Sequence, residues 1–203
     1  MVTNRQKIQG IIFDLDGTLL SSDLNFQLLR ELTGCPAGGD ILAHIDSLEC
    51  EQQKQQAHDI VREHEMRDAG QSHWLPGARE MVYGLKQHGF QMAIVTRNIS
   101  DAAKLKMSHN QVPIELVLSR EDAPAKPDPT ALLQIARYWQ LPVDQIIYVG
   151  DFRYDVEAAN NAGMVSCLYA PEVRPDYASQ ADMMVTHFDD LAEQLLNQSG
   201  HDI

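Results

Sequence analysis

Cysteine, aromatic side chains, positive charge and long apolar runs are all scarce in this chain. The three cysteines among 203 residues (Cys35, Cys50, Cys167) are far apart and form no Cys-x-x-Cys pair. That excludes a disulfide framework and suits a reducing cytosol. No apolar stretch approaches the roughly 20 residues that span a bilayer, and the segment from Met1 to Gln9 is polar, without a signal core. A cytoplasmic protein is therefore expected. Lys and Arg total 16 against 29 Asp and Glu, a formal charge of −13. Such a balance argues against nucleic acid or an anionic membrane as partner, and any site for an anionic substrate must be made positive locally.

What is present is an ordinary globular composition, 44% apolar and 22% charged, in a chain long enough for one substantial domain with room for a small insertion. Apolar runs at 8–14, 90–96, 115–118, 145–150, 164–169 and 183–186 predict strands. Helical spacing recurs between them. Ala78, Met81, Val82 and Leu85 form one face, closed by Gly89 at a C′ position; residues 100–109 form another helix. Asp128 as N-cap with Pro129 at N1 opens a helix with the stripe Leu132, Ile135, Ala136 and Trp139. Further helices run to Ala162, closed by Gly163, and over 188–197. Alternating strands and helices with short turns imply an α/β fold, a doubly wound parallel sheet.

Residues 21–75 differ in character. They lack strand-like runs and are rich in Gln, Glu and His. Leu24, Leu28, Leu29 and Leu32, then Ile41, Leu42, Ile45 and Leu48, then Ala57, Ile60, Val61 and His64 lie at helical spacing. A helical insertion of 21–75 is expected to fold over the strand ends of a core made from 1–20 and 76–203. His58 and His64, six apart and without a supporting cysteine, do not form a zinc site. Met66, Met183 and Met184 are expected to be packing residues.

The chemistry-bearing residues stand where strands end. Ile11-Ile12-Phe13 runs into Asp14-Leu15-Asp16-Gly17-Thr18. Two carboxylates this close repel, so both stay ionised only with a cation or donor between them. Mg²⁺ fits, as a hard ion that shares oxygen ligands with substrate phosphate; a plain Asp-Gly turn is the competing reading. Thr96 closes the second strand, Lys126 stands before Pro127 at a helix start, and Gly150-Asp151-Phe152-Arg153-Tyr154-Asp155 follows a third strand. Ligands of open parallel sheets bind outside the carboxyl ends of the strands, so these features converge on one pocket.

In this order the motifs resemble those of the haloacid dehalogenase superfamily, over nearly the whole chain. Its Asp-x-Asp-Gly-Thr box matches 14–18, its strand-end Thr or Ser matches Thr96, its Lys matches Lys126, and its Gly-Asp-x-x-x-Asp matches 150–155. The branch most like it contains phosphoglycolate phosphatases with a small helical cap after the first motif. The resemblance implies a Rossmann-like core and a Mg²⁺-dependent phosphatase for a small phosphorylated metabolite. It makes Asp14 the nucleophile and Asp16 the acid that protonates the leaving alkoxide and then activates water. It assigns the metal to the Asp14 carboxylate, the Asp16 backbone carbonyl and Asp151, with Asp155 orienting a metal-bound water or Asp151. Thr96, Lys126 and backbone N–H groups of Leu15 and Arg97 then receive phosphate oxygens.

Two alternatives remain at the level of sequence. A phosphomutase uses the same four motifs, and a phospho-accepting receiver domain also combines Asp, Thr and Lys at strand ends. In a receiver, though, the paired acids lie on the first strand and the phosphorylated Asp on a middle one. Asn98 is expected to cap the next helix, and Arg97 to reach substrate or solvent. Arg30, Arg62 and Arg67 of the insertion are equal candidates for facing the substrate.

Overall fold

The computed structural model describes residues 7–197; most of the polar N-terminal segment, and the last six residues of the expected core, lie outside them. Strand β1 (Gly10–Phe13) leads to helices α1 (Phe26–Thr33), α2 (Ile41–Asp46) and α3 (Glu51–Ala69). Then come α4 (Ala78–Gln87), β2 (Gln91–Val95), α5 (Ser100–His109), β3 (Leu116–Leu118) and α6 (Thr130–Trp139). The chain continues through β4 (Ile146–Gly150), α7 (Arg153–Ala162), β5 (Val165–Tyr169), β6 (Met183–Val185) and α8 (Phe188–Asn197). Each strand is one to three residues shorter than its apolar run.

All six strands are parallel, in the order β3-β2-β1-β4-β5-β6. The order reverses at β1, where the connections leave toward opposite edges, and there the carboxyl ends open a crevice. Both faces of the sheet are covered. Ile11 and Phe13 of β1 pack with α4 and α8 (Met81, Leu85, Leu191, Leu195), while Ile12, between them, packs with α6 and α7 (Leu132, Ile135, Ala158, Ala159). A central parallel strand buried on both sides has no reason to alternate, which is why Gly10–Phe13 is uniformly apolar.

Helices α1–α3 enclose a separate small cluster of Leu29, Cys35, Ile41, Ile45, Ala57 and Val61. In α1 the apolar stripe is wider than the contact face. Leu29 is buried, but Leu28 and Leu32 are 37% and 47% exposed, because this thin layer covers the helix on one side only. The chain enters and leaves the layer through a narrow neck. Leu75 N–H bonds to the Leu19 carbonyl, Ser21 N–H to the His73 carbonyl, and Leu20 pairs antiparallel with Trp74. In α6, Pro129 occupies the N-cap position instead of N1, since the Asp128 carboxylate accepts from Thr130 N–H at 2.8 Å and turns the chain around the proline. The three cysteines are free, and no helix among the described residues is long and apolar enough to cross a membrane.

Candidate active site

In the sheet register Phe13 stands level with Ile94 of β2 and Val149 of β4. Asp14, Val95 and Gly150 are therefore neighbours at the crevice, with Thr96 and Asp151 one residue further on. Asp14 remains tied to the sheet by its N–H on the Val149 carbonyl at 2.8 Å. Beyond it the chain coils tightly. Leu19 and Leu20 N–H groups bond to the Leu15 carbonyl and Gly17 N–H to the Leu20 carbonyl, with Leu15, Thr18, Leu19 and Leu20 wholly buried. Gly17 has φ of +77°, and a Cβ there would lie 2.4 Å from Asp151 Oδ2. Glycine is needed both for the left-handed turn and for the approach to Asp151.

Carboxylate oxygens of Asp14, Asp151 and Asp155 lie within 4.8 Å of one another, a group able to hold a metal ion. Lys126 Nζ sits among them, donating to Asp14 Oδ1 at 2.5 Å and Asp155 Oδ1 at 2.6 Å, with both side chains buried. Asp155 is otherwise engaged. It accepts from the Tyr148 hydroxyl at 3.0 Å and, through Oδ2, from Phe152 N–H at 3.0 Å, which caps α7. Asp14 and Asp151 are thus the members with more lone pairs to offer. Thr18 Oγ1 stands 3.5 Å from both Asp14 Oδ2 and Asp151 Oδ1, at the outer limit of a hydrogen bond, so it joins the two acids as well as shaping the turn.

The charges of this group are unbalanced. Three carboxylates face one ammonium inside a region with little water. Burial pushes the Asp14 carboxyl well above the usual range; Lys126 opposes this, and the Asp155 and Asp151 charges add to it. Burial, reinforced by Asp155, carries Asp151 to about 7. For Lys126, burial acts downward, but the facing Asp14 and Asp155 outweigh it and the ammonium is held above its ordinary value. A divalent cation offsets the surplus negative charge, and an all-oxygen donor set suits a hard ion.

Asp16, expected beside Asp14, directs its carboxylate elsewhere. It contacts Lys106 Nζ and accepts from Asn98 Nδ2 at 2.5 Å. Burial raises its pKa, with the Lys106 charge opposing. Thr96 is buried at the crevice and its Oγ1 accepts from Asn98 N–H at 3.1 Å. Asn98 therefore braces Asp16 and Thr96 and does not cap α5. Its side-chain amide spans the gap between the β1 and β2 loops, while the first turn of α5 is met by Glu65 Oε2 on Ile99 N–H at 3.0 Å. Leu15 and Arg97 lie at the same two loops. The Arg97 guanidinium turns outward to Asp40 at 2.6 Å and over the Tyr154 ring at 4.8 Å.

None of the three arginines of the inserted layer is directed at the carboxylates. Arg30 donates to the Gly39 carbonyl, Arg62 pairs with Asp101 and Arg67 with Glu63. The residues missed by sequence reasoning are Lys106, Asp68 and Tyr148. Tyr148 was concealed in a strand as one more apolar position. For Lys106 a signal existed: it lies with Ala102 and Ala103 on the inward face of α5, an odd place for an unpaired charge. Cavities of about 420 Å³ and 460 Å³ lie elsewhere, one between α2–α3 and the 120–125 loop, the other beside α5 and β3.

Known proteins resemble this chain in sequence and in fold. The family model described as haloacid dehalogenase-like hydrolase matches residues 11–169. A haloacid dehalogenase-like hydrolase domain-containing protein of Arabidopsis thaliana is 27% identical over 93% of this chain and 89% of its own. A phosphoglycolate phosphatase of Vibrio cholerae is 30% identical over 79% of this chain and 84% of its own. The crystal structure of a hydrolase from Pseudomonas syringae superposes with a TM-score of 0.76 at 20% identity, covering 93% of this chain and 98% of that one, a likeness of fold. The chain belongs to the haloacid dehalogenase-like hydrolases.

Proposed function

We propose that the protein is a Mg²⁺-dependent phosphatase hydrolysing a small phosphorylated metabolite through an aspartyl phosphate on Asp14, with 21–75 as a helical cap on a core of 1–20 and 76–203. The observation that carries this reading is the group of buried Asp14 and Asp155 and partly buried Asp151 around a single Lys126 at the switch point of the sheet. Its surplus negative charge calls for a dication, and a phosphate ester brings its own charge to the same place. The similarity to a phosphoglycolate phosphatase supports a phosphate monoester as substrate class.

Asp14 and Asp151, with the Asp16 carbonyl, would hold Mg²⁺, which supplies charge neutralisation on the transferring phosphoryl group. Thr96 and Lys126, with the N–H groups of Leu15 and Arg97, receive its oxygens, and Asp155 fixes Lys126. Asp14 attacks phosphorus as the ester P–O bond breaks, and Asp16 gives its proton to the departing oxygen. Water then attacks the phospho-aspartate, returns a proton to Asp16 and releases phosphate. A raised Asp16 pKa serves the first step, because the acid must arrive protonated. The free cysteines suit a cytoplasmic location.

The test is Asp14→Asn, assayed for phosphate release from a panel of phosphorylated metabolites. The turnover number is expected to fall by at least about 10³-fold with the melting curve retained, and acid-quenched phosphoenzyme to disappear. Retention of about a tenth of the wild-type rate would reject covalent catalysis through Asp14.

A further inference from the structure

Lys106 is the one wholly buried lysine among the described residues, and it stands outside the metal group. Its ammonium contacts Asp16 and lies 2.5 Å from Asp68 Oδ2. Such a lysine survives only with its charge matched, and the two carboxylates that match it come from different parts of the molecule. Asp16 belongs to the loop after β1. Asp68 belongs to the last turn of α3, at the neck through which the chain enters and leaves the cap.

Asp68 also gathers the entering strand. Its Oδ2 accepts from Ser22 Oγ at 3.0 Å and its Oδ1 from Asp23 N–H at 2.6 Å. The leaving strand is bound to the same helix as Lys106. Asn110, one turn further along, donates to Ser72 Oγ at 3.0 Å, and its carbonyl accepts from Trp74 Nε1 at 2.9 Å. Both strands of the neck are thus seated on α5. Lys106 links Asp68, which secures the first of them, to Asp16.

The geometry points to Lys106 as a positioning residue that sets the Asp16 carboxylate for proton transfer to the leaving group and, through Asp68, makes that setting depend on how the base of the cap is seated. The inference rests on the phosphatase reading and extends it. Lys106 touches no reacting atom. It acts through Asp16, and Asn98 supplies only a neutral donor to the other Asp16 oxygen. If the cap base shifts, Asp68 moves with α3, and Lys106 must follow it or abandon it; either changes the contact with Asp16.

Two aryl phosphates separate this role from simple support of the fold. Dinitrophenolate leaves readily without a proton, whereas phenolate, with a pKa close to that of tyrosine, about 10, gains from one. The reading is leaving-group release in a single turnover with enzyme in excess and Mg²⁺ present, so hydrolysis of the phosphoenzyme does not intervene. Lys106→Met is expected to slow release from phenyl phosphate by about 100-fold and from 2,4-dinitrophenyl phosphate by less than about tenfold. In an Asp16→Asn background the same change is expected to add less than about threefold, because the residue through which it acts is already disabled.

Equal slowing of both esters, or an undiminished loss in the Asp16→Asn background, would overturn the proposal. Should Lys106→Met fail to fold, judged by amide exchange of the β4 strand, Asp68→Asn replaces it. That variant keeps the shape and weakens the anchor, and the same selective loss with phenyl phosphate is expected at about tenfold; equal slowing of the two esters again refutes the proposal. Wild-type protein that releases neither alcohol rejects the phosphatase reading itself, and the role of Lys106 with it.

Discussion

Gly17 and Asp151 show how much of the site depends on single atoms. A methyl group at Gly17 would carry the strain of a positive φ and press on the Asp151 carboxylate, 2.4 Å away. The carboxylate is the free end of a side chain and can swing aside, so Gly17→Ala is expected to cost about 1–2 kcal/mol of stability from the backbone. Its larger effect should fall on metal affinity, since Asp151 leaves its place. Thermal melts with and without Mg²⁺ check both; an unchanged Mg²⁺ shift would remove Asp151 from the metal site.

Asp151 also predicts a pH dependence. Its folded-state pKa is raised to about 7 from an ordinary 3.8, so between those values the folded chain binds more protons than the unfolded one. The stability contributed by this group is present below about pH 4 and is lost as the pH rises through about 7 in metal-free protein. Bound Mg²⁺ reverses the preference, because the ligand must be ionised. The gain in Tm from Mg²⁺ is therefore expected to be larger near pH 8 than near pH 5.5, and calorimetry at the two values measures it.

At the scale of elements, α3 and α5 are joined by charge as well as by an apolar cluster of Met66, Ala69, Ile99, Ala102 and Leu105. Glu65 accepts from Ile99 N–H at the start of α5 and pairs with Arg120, Arg62 reaches Asp101, and Asp68 meets Lys106. The hydrophobic spacing of α3 identified a helix but gave no hint that Glu65 and Asp68 would be among its buried residues. Elsewhere, Arg97 after β2 pairs with Asp40 at the start of α2, forming a second, half-buried contact between the layers. Asp40 Oδ1 also caps α2 by accepting from Ala43 N–H at 2.9 Å, a role an asparagine oxygen can keep. Asp40→Asn is therefore expected to change global stability by less than about 1 kcal/mol. Amide exchange over 41–46 should become faster while 146–150 stays protected. Unchanged exchange in α2 would show that the pair does not restrain that helix.

On the scale of the whole molecule, a chain of charge −13 concentrates cations at two buried points, Lys126 and Lys106, each held between carboxylates. Neither group is net positive, so under the proposed function it is the dication that would have to draw an anionic substrate in. The parallel sheet, its helices and the places where Asp14, Thr96, Lys126 and Asp151 stand were legible in the amino-acid sequence. Apolar runs, turn residues and motif order are local properties, and one register places all strand ends on one rim. Where the Asp16 carboxylate turns was decided only by tertiary structure. Asp14, Asp151 and Asp155 come together across 141 residues of chain, while Asp16, two positions from Asp14, is drawn away by Lys106 and Asn98. The alanine face of α5 marks Lys106 as turned inward but does not name its partners. Only the docking of α3 on α5 buries it, and burial obliges it to find Asp16 and Asp68.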